Sequence, residues 1–353
     1  MLTGIVPAAG YSSRMGEFKP LISVGGMTFL ERAISSLRMG GVQDIFVVTG
    51  HRANEVGREA SRLDCRVVYN PAYPEGMFSS VRAGVKAIQS FKGKFFLLPC
   101  DIPMIRPSTI SLVADSFLPG DQVIIPSFRG RKGHPPLISG ELCRGILEYE
   151  GPLGLRGFLG STSVSIRNIP VTDRGILKDA DTPEDFEEIL SISGRRDLPD
   201  DEEMRALLEI AGTSDKVIAH QEKVAEVALT LADSLVKHGL ALDKDLLEKA
   251  CLLHDVIRDL PDHGAESASF LSMHGFPLVG DLVEDHMDIR DRKGLDERAV
   301  LFLSDKLVSG TRIIPVRVRM EEKLSLYGSR KEARENIIRK MGKALEIQEE
   351  IEA

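Results

Sequence analysis

Short runs of apolar, mostly β-branched residues alternate with amphipathic stretches through the first half of the chain. The runs predict five strands, at Thr3–Ala8, Asp44–Thr49, Cys65–Tyr69, Phe95–Pro99 and Gln122–Pro126. Helical spacing of apolar residues between them predicts four helices, near Thr28–Arg38, Ala53–Arg62, Ser79–Ser90 and Pro107–Phe117. This β-α-β-α order predicts a Rossmann-like, mainly parallel sheet, with ligands at the carboxyl ends of its strands.

The pattern changes after Phe186. A polar segment from Ser193 to Asp201 contains glycine and proline, which is typical of a linker. Beyond it, helical spacing predicts six helices, at Met204–Ala211, Val217–Val236, Leu246–Ile257, Ala265–Met273, Glu297–Val308 and Ile337–Ile351. We therefore predict an α/β domain over residues 1–194 and an all-α domain over residues 200–353.

The composition narrows the class of protein. A length of 353 residues allows two domains with separate cores. No apolar run approaches the roughly 18–20 residues of a membrane span, and the N-terminus reads as a strand rather than a signal peptide. The four cysteines are scattered without a C-x-x-C pair, so we expect buried thiols. These features predict a cytoplasmic protein that does not associate with membranes.

Charge is shared unevenly along the chain. Of 45 Lys+Arg and 53 Asp+Glu, residues 1–194 hold 21 and 20, which leaves 24 and 33 for the remainder. A nucleic-acid binder needs a basic face to neutralise backbone phosphates, and neither half offers one. The expected partners are therefore small molecules.

The loop after the first predicted strand reads Pro7-Ala-Ala-Gly-Tyr-Ser-Ser-Arg-Met-Gly-Glu-Phe-Lys19. The small residues Ala8, Ala9 and Gly10 let backbone N–H groups approach a triphosphate. Arg14 is suited to gripping phosphate oxygens, and Lys19 supplies a charge where negative charge develops during transfer. The alternative is a glycine-rich turn with solvated charges, which the full order of this string disfavours.

This string resembles the MobA-like nucleotidyltransferases, and specifically the molybdenum cofactor cytidylyltransferases, over about residues 1–190. Five further motifs carry the resemblance, at residues 47–51, 70–80, 99–104, 133–138 and 179–185. The resemblance implies a nucleotide-diphospho-sugar-transferase type of fold. It also implies Mg²⁺-dependent attack of an acceptor phosphate on the α-phosphorus of a nucleoside triphosphate, with release of pyrophosphate.

Carboxylates are the expected Mg²⁺ ligands of this site. Asp101 lies just past an apolar strand, where ligands bind, and carboxylates together with phosphate oxygens commonly hold Mg²⁺. Asp181 is the second predicted ligand, although Asp179 could take its place and Asp181 could instead cap the helix that follows.

The remaining contacts follow from the same resemblance. Ser12, Asn70 and Ser80 are predicted to contact the nucleotide, and His134 to lie near the acceptor. The order Ala8-Ala9-Gly10, where guanylyltransferase relatives carry A-G-G, favours CTP over GTP. Pro7 and Pro20 stand where the family usually shows leucine, which leaves a sugar phosphate or alcohol phosphate as an alternative acceptor.

The second half concentrates histidines, with His254-Asp255 within a predicted helix. The spacing puts His254 on the apolar face, where a buried imidazole needs partners. The order His220, His254-Asp255, Asp305 resembles the HD superfamily of metal-dependent phosphohydrolases over about residues 214–310. The resemblance makes these four residues metal ligands. It adds His263 and His286 as ligands of a binuclear subgroup that includes small diadenosine-polyphosphate hydrolases.

Nitrogen and oxygen ligands of this kind suit one or two ions of Fe, Mn, Co or Zn. His238 and His274 match no motif and are predicted to lie at the surface. The leading hypothesis is a bifunctional enzyme that joins cytidylyl transfer to a pterin cofactor with phosphate-ester or pyrophosphate hydrolysis. A helical domain that senses nucleotides without turnover is the alternative. A molybdoenzyme or its chaperone is the candidate protein partner.

Overall fold

A computed structural model describes residues 2–12, 15–90, 93–161, 164–258, 260, 262–290, 292 and 294–353, so the predicted phosphate ligand Arg14 lies outside the described residues. The chain divides into two compact units, Met1–Arg196 and Asp197–Ala353.

The strands of the first unit follow the predicted apolar runs, with additions. The described strands are β1 Leu2–Ala8, β2 Ser23–Val24, β3 Met27–Thr28, β4 Asp44–Thr49, β5 Arg66–Tyr69, β6 Lys94–Leu97, β7 Val123–Phe128, β8 Arg131–Lys132, β9 Leu137–Ser139 and β10 Ile166–Pro170. Sequence patterning missed the two- and three-residue strands, which are too short to show a period of two, and β10, whose Ile-Arg-Asn-Ile-Pro sequence is not an apolar run.

One mixed sheet forms the centre of this unit. Its order is β10-β7-β9-β6-β1-β4-β5, and β8 pairs with β7. The β1–β4, β1–β6, β4–β5 and β7–β10 pairs are parallel, whereas β9 is antiparallel to both its neighbours. The prediction of a mainly parallel sheet is confirmed. β4 pairs with one edge of β1 and β6 with the other. The carboxyl end of β1 therefore lies at the point where the strand order reverses.

Helices cover both faces of the sheet. They are α1 Phe29–Met39, α2 Ala53–Arg62, α3 Met77–Ile88, α4 Pro107–Asp115, α5 Cys143–Glu148, α6 Gly154–Ser161 and α7 Pro183–Ser193. Val81 and Val85 of α3 share one buried cluster with Ile5 of β1. Gly84 allows this close approach, because an added Cβ would lie 2.4 Å from Cγ2 of Ile5.

A buried carboxylate ties the end of the first unit to its sheet. Asp173 is 1% exposed and accepts hydrogen bonds from Arg106 N (2.7 Å), Thr109 Oγ1 (2.9 Å) and the Arg196 guanidinium (2.9 Å). Leu198, by contrast, is buried in the core of the second unit. We therefore propose that the boundary lies between Arg196 and Leu198, within the segment predicted as a linker, and that the first domain needs the two residues after Gly194.

The second unit is helical apart from one two-residue hairpin, β11 Val308–Ser309 with β12 Arg312–Ile313. Its helices are α8 Asp201–Ala211, α9 Asp215–Lys237, α10 Lys244–Leu253, α11 His263–Met273, α12 Pro277–Glu284, α13 Glu297–Leu307, α14 Val316–Tyr327 and α15 Lys331–Glu352. Sequence patterning missed α12 and α14. The latter has no amphipathic stripe and buries only Val316.

Two apolar clusters hold the second unit together. The larger cluster contains residues of every helix from α8 to α13. In the smaller cluster, Met341, Ala344 and Ile347 of α15 pack against Phe302 of α13 and Val316 of α14. The terminal helix is therefore part of the core. None of the described helices is both long and apolar enough to cross a membrane.

Candidate functional site

A cavity of about 540 Å³ opens at the carboxyl ends of β1 and β6. These two strands pair in parallel, so the loop after Ala8 and the Pro99-Cys100-Asp101 turn emerge side by side. The cavity is lined by Ala8, Ala9, Gly10, Ser12, Lys19, Ser80, Asp101, His134, Asp179 and Asp181, among others. The fold thus gathers most of the predicted site residues from five separate segments.

Lys19 lies at the centre of this site. It is 8% exposed, and its Nζ lies 2.6 Å from Asp181 Oδ1 and 3.5 Å from Asp101 Oδ2. Its backbone N–H donates to Ser12 Oγ at 3.0 Å, which fixes the loop relative to the lysine. One cation therefore offsets two carboxylates that lie 80 residues apart in sequence.

The carboxylates offer the oxygen donors that Mg²⁺ prefers. Burial raises the pKa of Asp101, and the Asp181 carboxylate adds to this while Lys19 opposes it. Two carboxylates close enough to repel each other, in a cavity wide enough for a nucleotide, fit a divalent cation that arrives with phosphates.

The structure excludes the alternative that Asp181 caps α7. The cap of α7 is Thr182, whose side chain accepts from Asp185 N while Asp185 accepts from Thr182 N. Asp181 therefore does not cap the helix. Asp179 and Asp181 both line the cavity, and Asp181 is the one in contact with Lys19.

The small-residue loop leaves room at its tip. A Cβ added to Gly10 would meet no atom within 4 Å, and Ser12 adopts a left-handed backbone with φ of 59°. Ala9 is buried, and its carbonyl accepts from His51 N at 3.0 Å. The hydrogen bond from His51 thus fixes the loop backbone at Ala9, while Gly10 faces open space.

Ser80 and Asn70 hold different positions. Both are buried, but only Ser80 lines the cavity. The Asn70 amide donates to Ser79 Oγ (2.9 Å) and Ser80 Oγ (3.1 Å), and its oxygen accepts from Ala72 N (3.0 Å). The structure therefore places Asn70 as a support for Ser80, and its direct contact with a nucleotide stays a prediction.

His134 lines the cavity rather than pointing to solvent as a lone loop histidine commonly does. Burial lowers its pKa, and no described residue hydrogen-bonds its Nδ1. A neutral imidazole with an unused nitrogen is suited to a polar group of the acceptor.

Two tyrosines complete the cavity and were not predicted. Tyr11 and Tyr73 both line it, with ring centroids 5.3 Å apart. Tyr73 lies in the 70–80 motif and Tyr11 in the loop string, but a tyrosine in a loop carries no sequence signal that separates a cavity-lining ring from an exposed one. Half-exposed aromatic rings at a cavity mouth offer a surface for a nucleobase.

The second site gathers side chains from five helical segments. His220 comes from α9 and Asp305 from α13. His254-Asp255 directly follows α10, His263 begins α11, and His286 lies in a short 3₁₀ helix after α12. His254 was predicted within its helix but is the residue that ends it, while remaining fully buried.

These side chains form two groups that share His254. His220, His254 and Asp305 form one, and His254, Asp255 and His286 the other, with ligand atoms within 4.8 Å of one another in each. Nε2 of His263 and of His286 each lie 3.4 Å from Asp255 Oδ1, and Nε2 of His220 lies 3.3 Å from Asp305 Oδ1.

The imidazoles are oriented by backbone carbonyls. Nδ1 of His254 lies 2.8 Å from Cys251 O, and Nδ1 of His286 lies 2.6 Å from Val283 O. Their Nε2 atoms are buried with no hydrogen-bond partner among the described residues. Burial lowers the pKa of His254 to about 4, so the ring is neutral. Imidazoles held through Nδ1, with Nε2 turned inward beside carboxylates, fit a divalent metal ion.

The two aspartates are kept ionised by their neighbours. Burial alone would raise the pKa of Asp255, but His286 and His254 hold it below its usual value. Asp305 is likewise buried, and Lys306 and His220 hold its pKa well below the usual range.

The two unmatched histidines differ. His238 is exposed as predicted, whereas His274 is 5% exposed and its ring packs at a tilt against Phe270 with centroids 4.4 Å apart. The prediction that His274 lies at the surface is wrong, because His274 caps the end of α11 and lies one helical turn after Phe270.

Comparisons with known proteins identify the family of each domain. Residues 4–166 match the MobA-like NTP transferase domain, and residues 217–341 match the HD domain. The molybdenum cofactor cytidylyltransferase of Escherichia coli (strain K12) is 33% identical over 187 residues, which are 52% of this chain and 92% of that protein. The chain belongs to the MobA-like nucleotidyltransferases.

Two other similarities concern the same domain. This MobA-like nucleotidyltransferase is 46% identical over 87 residues to the bifunctional IPC transferase and DIPP synthase of Rubrobacter xylanophilus, a match that spans 23% of this chain and 20% of that protein. A solved nucleotidyl transferase from Methanothermobacter thermautotroptrophicus aligns with a TM-score of 0.49 and 26% identity, over 55% of this chain and 98% of that one. The family matches give the order of the domains, a nucleotidyltransferase domain followed by an HD domain.

Proposed function

We propose that the first unit transfers a cytidylyl group from CTP to the phosphate of a molybdenum cofactor pterin. The observation that carries this proposal is the Lys19 contact with Asp101 and Asp181 beneath the open Gly10 loop. An oxygen of the acceptor phosphate forms a bond to the α-phosphorus of CTP, the bond to the β-phosphate bridge breaks, and pyrophosphate leaves. Mg²⁺, when bound, neutralises phosphate charge.

In this scheme the residues of the protein position the two substrates and stabilise the negative charge that develops during transfer. Lys19 offsets negative charge that develops on the transferred group, and Arg14 is assigned the same role by the motif. Ser12 and Ser80 contact the nucleotide, and His134 contacts the acceptor. The 33% identity to a molybdenum cofactor cytidylyltransferase supports this acceptor and CTP as donor.

A sugar phosphate or alcohol phosphate is the second candidate acceptor. The 46% identical segment shared with the bifunctional IPC transferase and DIPP synthase favours it, as do Pro7 and Pro20. Release of pyrophosphate from CTP, with Mg²⁺ and each acceptor in turn, distinguishes the two. Turnover with GTP and none with CTP would overturn the cytidylyl assignment.

For the second unit we propose metal-dependent hydrolysis of a phosphate ester or anhydride. The observation that carries it is a pair of buried Nε2 atoms, of His254 and His286. Both lie beside Asp255, and neither has a hydrogen-bond partner among the described residues. Water adds its oxygen to phosphorus, the bond to the leaving oxygen breaks, and one water proton goes to the leaving group. His220, His254, Asp255 and Asp305 would hold one metal ion, and His263 and His286 a second with Asp255. Metals of this class activate water and bind phosphate oxygens.

Elemental analysis joined to hydrolysis assays tests this second activity. The full chain should contain one or two equivalents of Fe, Mn, Co or Zn and should hydrolyse dinucleoside polyphosphates or simple phosphate esters. Metal without turnover on any substrate would replace the hydrolase by a domain that senses nucleotides. We propose that the enzyme acts in the cytoplasm on small-molecule partners. A molybdoenzyme or its chaperone would receive the finished cofactor.

A further inference from the structure

The cavity beside the HD metal ligands has a second wall that those ligands do not form. It measures about 550 Å³ and reaches from Asp255, His263 and His286 to side chains of α14 and α15. Seven basic side chains and five carboxylates line it, and Lys306, Arg319, Lys323 and Lys340 are among the basic ones. They gather in the more acidic part of the chain, where 24 basic residues face 33 acidic ones.

Two of these cations are anchored by the protein. Lys306 Nζ donates to Asp305 Oδ2 at 2.5 Å and to the carbonyl of His286 at 3.0 Å. Arg319 donates to the carbonyls of Asp305 and Val308. Both residues thus brace the metal-ligand segment while keeping their charge at the cavity.

Lys323 and Lys340 are not anchored in this way. Among the described residues, neither ammonium has an ion pair or a hydrogen bond, and both side chains are partly buried. The lining carboxylate Asp288 is already paired with Arg339 at 2.5 Å and with Lys343 at 3.0 Å.

The electrostatics point the same way. Burial, then Arg319 and Lys306, lower the pKa of Lys323 to about 8, and burial lowers the pKa of Lys340. Partly buried lysines beside other cations, with no direct ion pair among the described residues, favour an anionic ligand.

We propose that Lys323 and Lys340 form an anion subsite for a chain of two or more phosphates, one end of which reaches the cluster around His254 and Asp255. This inference rests on the proposed hydrolase function and adds the residues that select its substrate. A lysine binds phosphate as a point charge, and the metal ligands serve only the phosphate that reacts. A simple monoester has one phosphate and leaves the lysine wall unused.

The double variant Lys323→Met/Lys340→Met tests the subsite in the full chain. Lys331→Met is the matched control, because Lys331 is exposed on α15 and does not line the cavity. One charged hydrogen bond corresponds to about tenfold or more in affinity. The double variant should therefore raise KM for a dinucleoside tetraphosphate at least about tenfold, with kcat and p-nitrophenyl phosphate hydrolysis nearly unchanged. Equal losses on both substrates, or none on either, would overturn the subsite.

A binding arm separates this inference from the proposed function. If the wild-type chain hydrolyses nothing, calorimetric titration with inorganic pyrophosphate and tripolyphosphate still decides. Binding at least about tenfold weaker in the double variant than in wild type and Lys331→Met supports the subsite, and equal binding in all three refutes it. In an active enzyme, comparing the two inorganic anions with the dinucleoside tetraphosphate identifies the source of the phosphate chain, including pyrophosphate released by the first unit.

Discussion

The two sites of this enzyme hold their carboxylates in opposite ways. In the first, Asp101 and Asp181 share the ammonium of Lys19. In the second, Asp255 and Asp305 face a group of imidazoles. Two of these have a buried Nε2 without a hydrogen-bond partner among the described residues. One arrangement contains its own cation, and the other presents donor atoms to a cation that must be supplied.

This difference predicts how each site uses metal. With Lys19 in place, the first carboxylates are already compensated, so Mg²⁺ should bind together with the nucleotide phosphates. A buried polar atom left unpaired costs about 1–3 kcal/mol, so the second site should retain its metal throughout turnover. The contrast is between a metal delivered with substrate and a resident metal.

The largest expected effect is at the resident metal. His254→Ala removes the side chain shared by both ligand groups, so metal content and hydrolysis should fall by at least about a hundredfold, since even residues outside the ligand set change affinity about 10–100-fold. Elemental analysis and phosphatase assays measure this, and nucleotidyl transfer should be unaffected. His238→Ala, at an exposed position, is the control. A His254→Ala protein that keeps its metal would refute the assignment.

In the first site, Asp101→Ala should reduce nucleotidyl transfer to below about a tenth while the protein stays folded, because it removes one proposed Mg²⁺ ligand. Pyrophosphate release at saturating Mg²⁺ is the measurement. Asp115→Ala, on the exposed side of α4, should behave as wild type. Activity retained in the Asp101 variant would move that residue to a structural role.

Lys19→Met examines the contrast directly. Removing the lysine should lower transfer, and it should also let the two carboxylates bind Mg²⁺ in the absence of nucleotide, since their repulsion is then uncompensated. Calorimetric titration of Mg²⁺ into wild-type and variant chains measures this. If Mg²⁺ binds both equally without nucleotide, the lysine does not substitute for the metal.

A carboxylate outside both sites extends the comparison, because Asp173 is buried and is held by arginine in a purely structural setting. Arg196→Met should destabilise the first unit by about 3 kcal/mol, since it breaks a buried pair on one side only. A fragment ending at Gly194 should unfold at lower denaturant than one ending at Arg196. Arg144→Met, in an exposed pair, should change little. Equal stability of the two fragments would place the boundary back at Gly194.

The same group gives a pH test with a definite sign. Burial alone would raise the pKa of Asp173, but Arg196 and Arg106 hold it below its unfolded value. Its stabilising contribution is therefore present above about pH 4, the pKa of an unfolded aspartate, and is lost as the pH falls through the lower folded value. Asp173→Asn should flatten the acid limb of stability measured by urea unfolding. A wild-type acid limb no steeper than that of the variant would contradict the pairing.

The smallest expected effect concerns nucleotide choice. CTP with Mg²⁺ should raise the melting temperature of the enzyme more than GTP at equal concentration, because a ligand at 100 times its Kd adds about 2.7 kcal/mol and a weaker one adds less. A GTP shift equal to or larger than the CTP shift would remove the cytidylyl assignment and leave the reaction type intact.

Local patterns were enough to predict the architecture and the families of the two domains. Alternating apolar runs of six residues specify β1 and β4 because a strand inside a parallel sheet must be apolar on both faces. The loop from Pro7 to Lys19 and the pair His254-Asp255 are local in sequence, so their motifs could be recognised without any tertiary contact.

Only the tertiary structure decided which groups meet. Lys19 contacts Asp181 across 162 positions, the cap of α7 proved to be Thr182, and Asn70 turned out to support Ser80. Lys323 and Lys340 lie on α14 and α15, and no motif marks them, because a lysine on a polar helix looks the same in sequence whether it faces solvent or a cavity. Pairings of this kind depend on how the elements pack, and local patterns carry no record of packing.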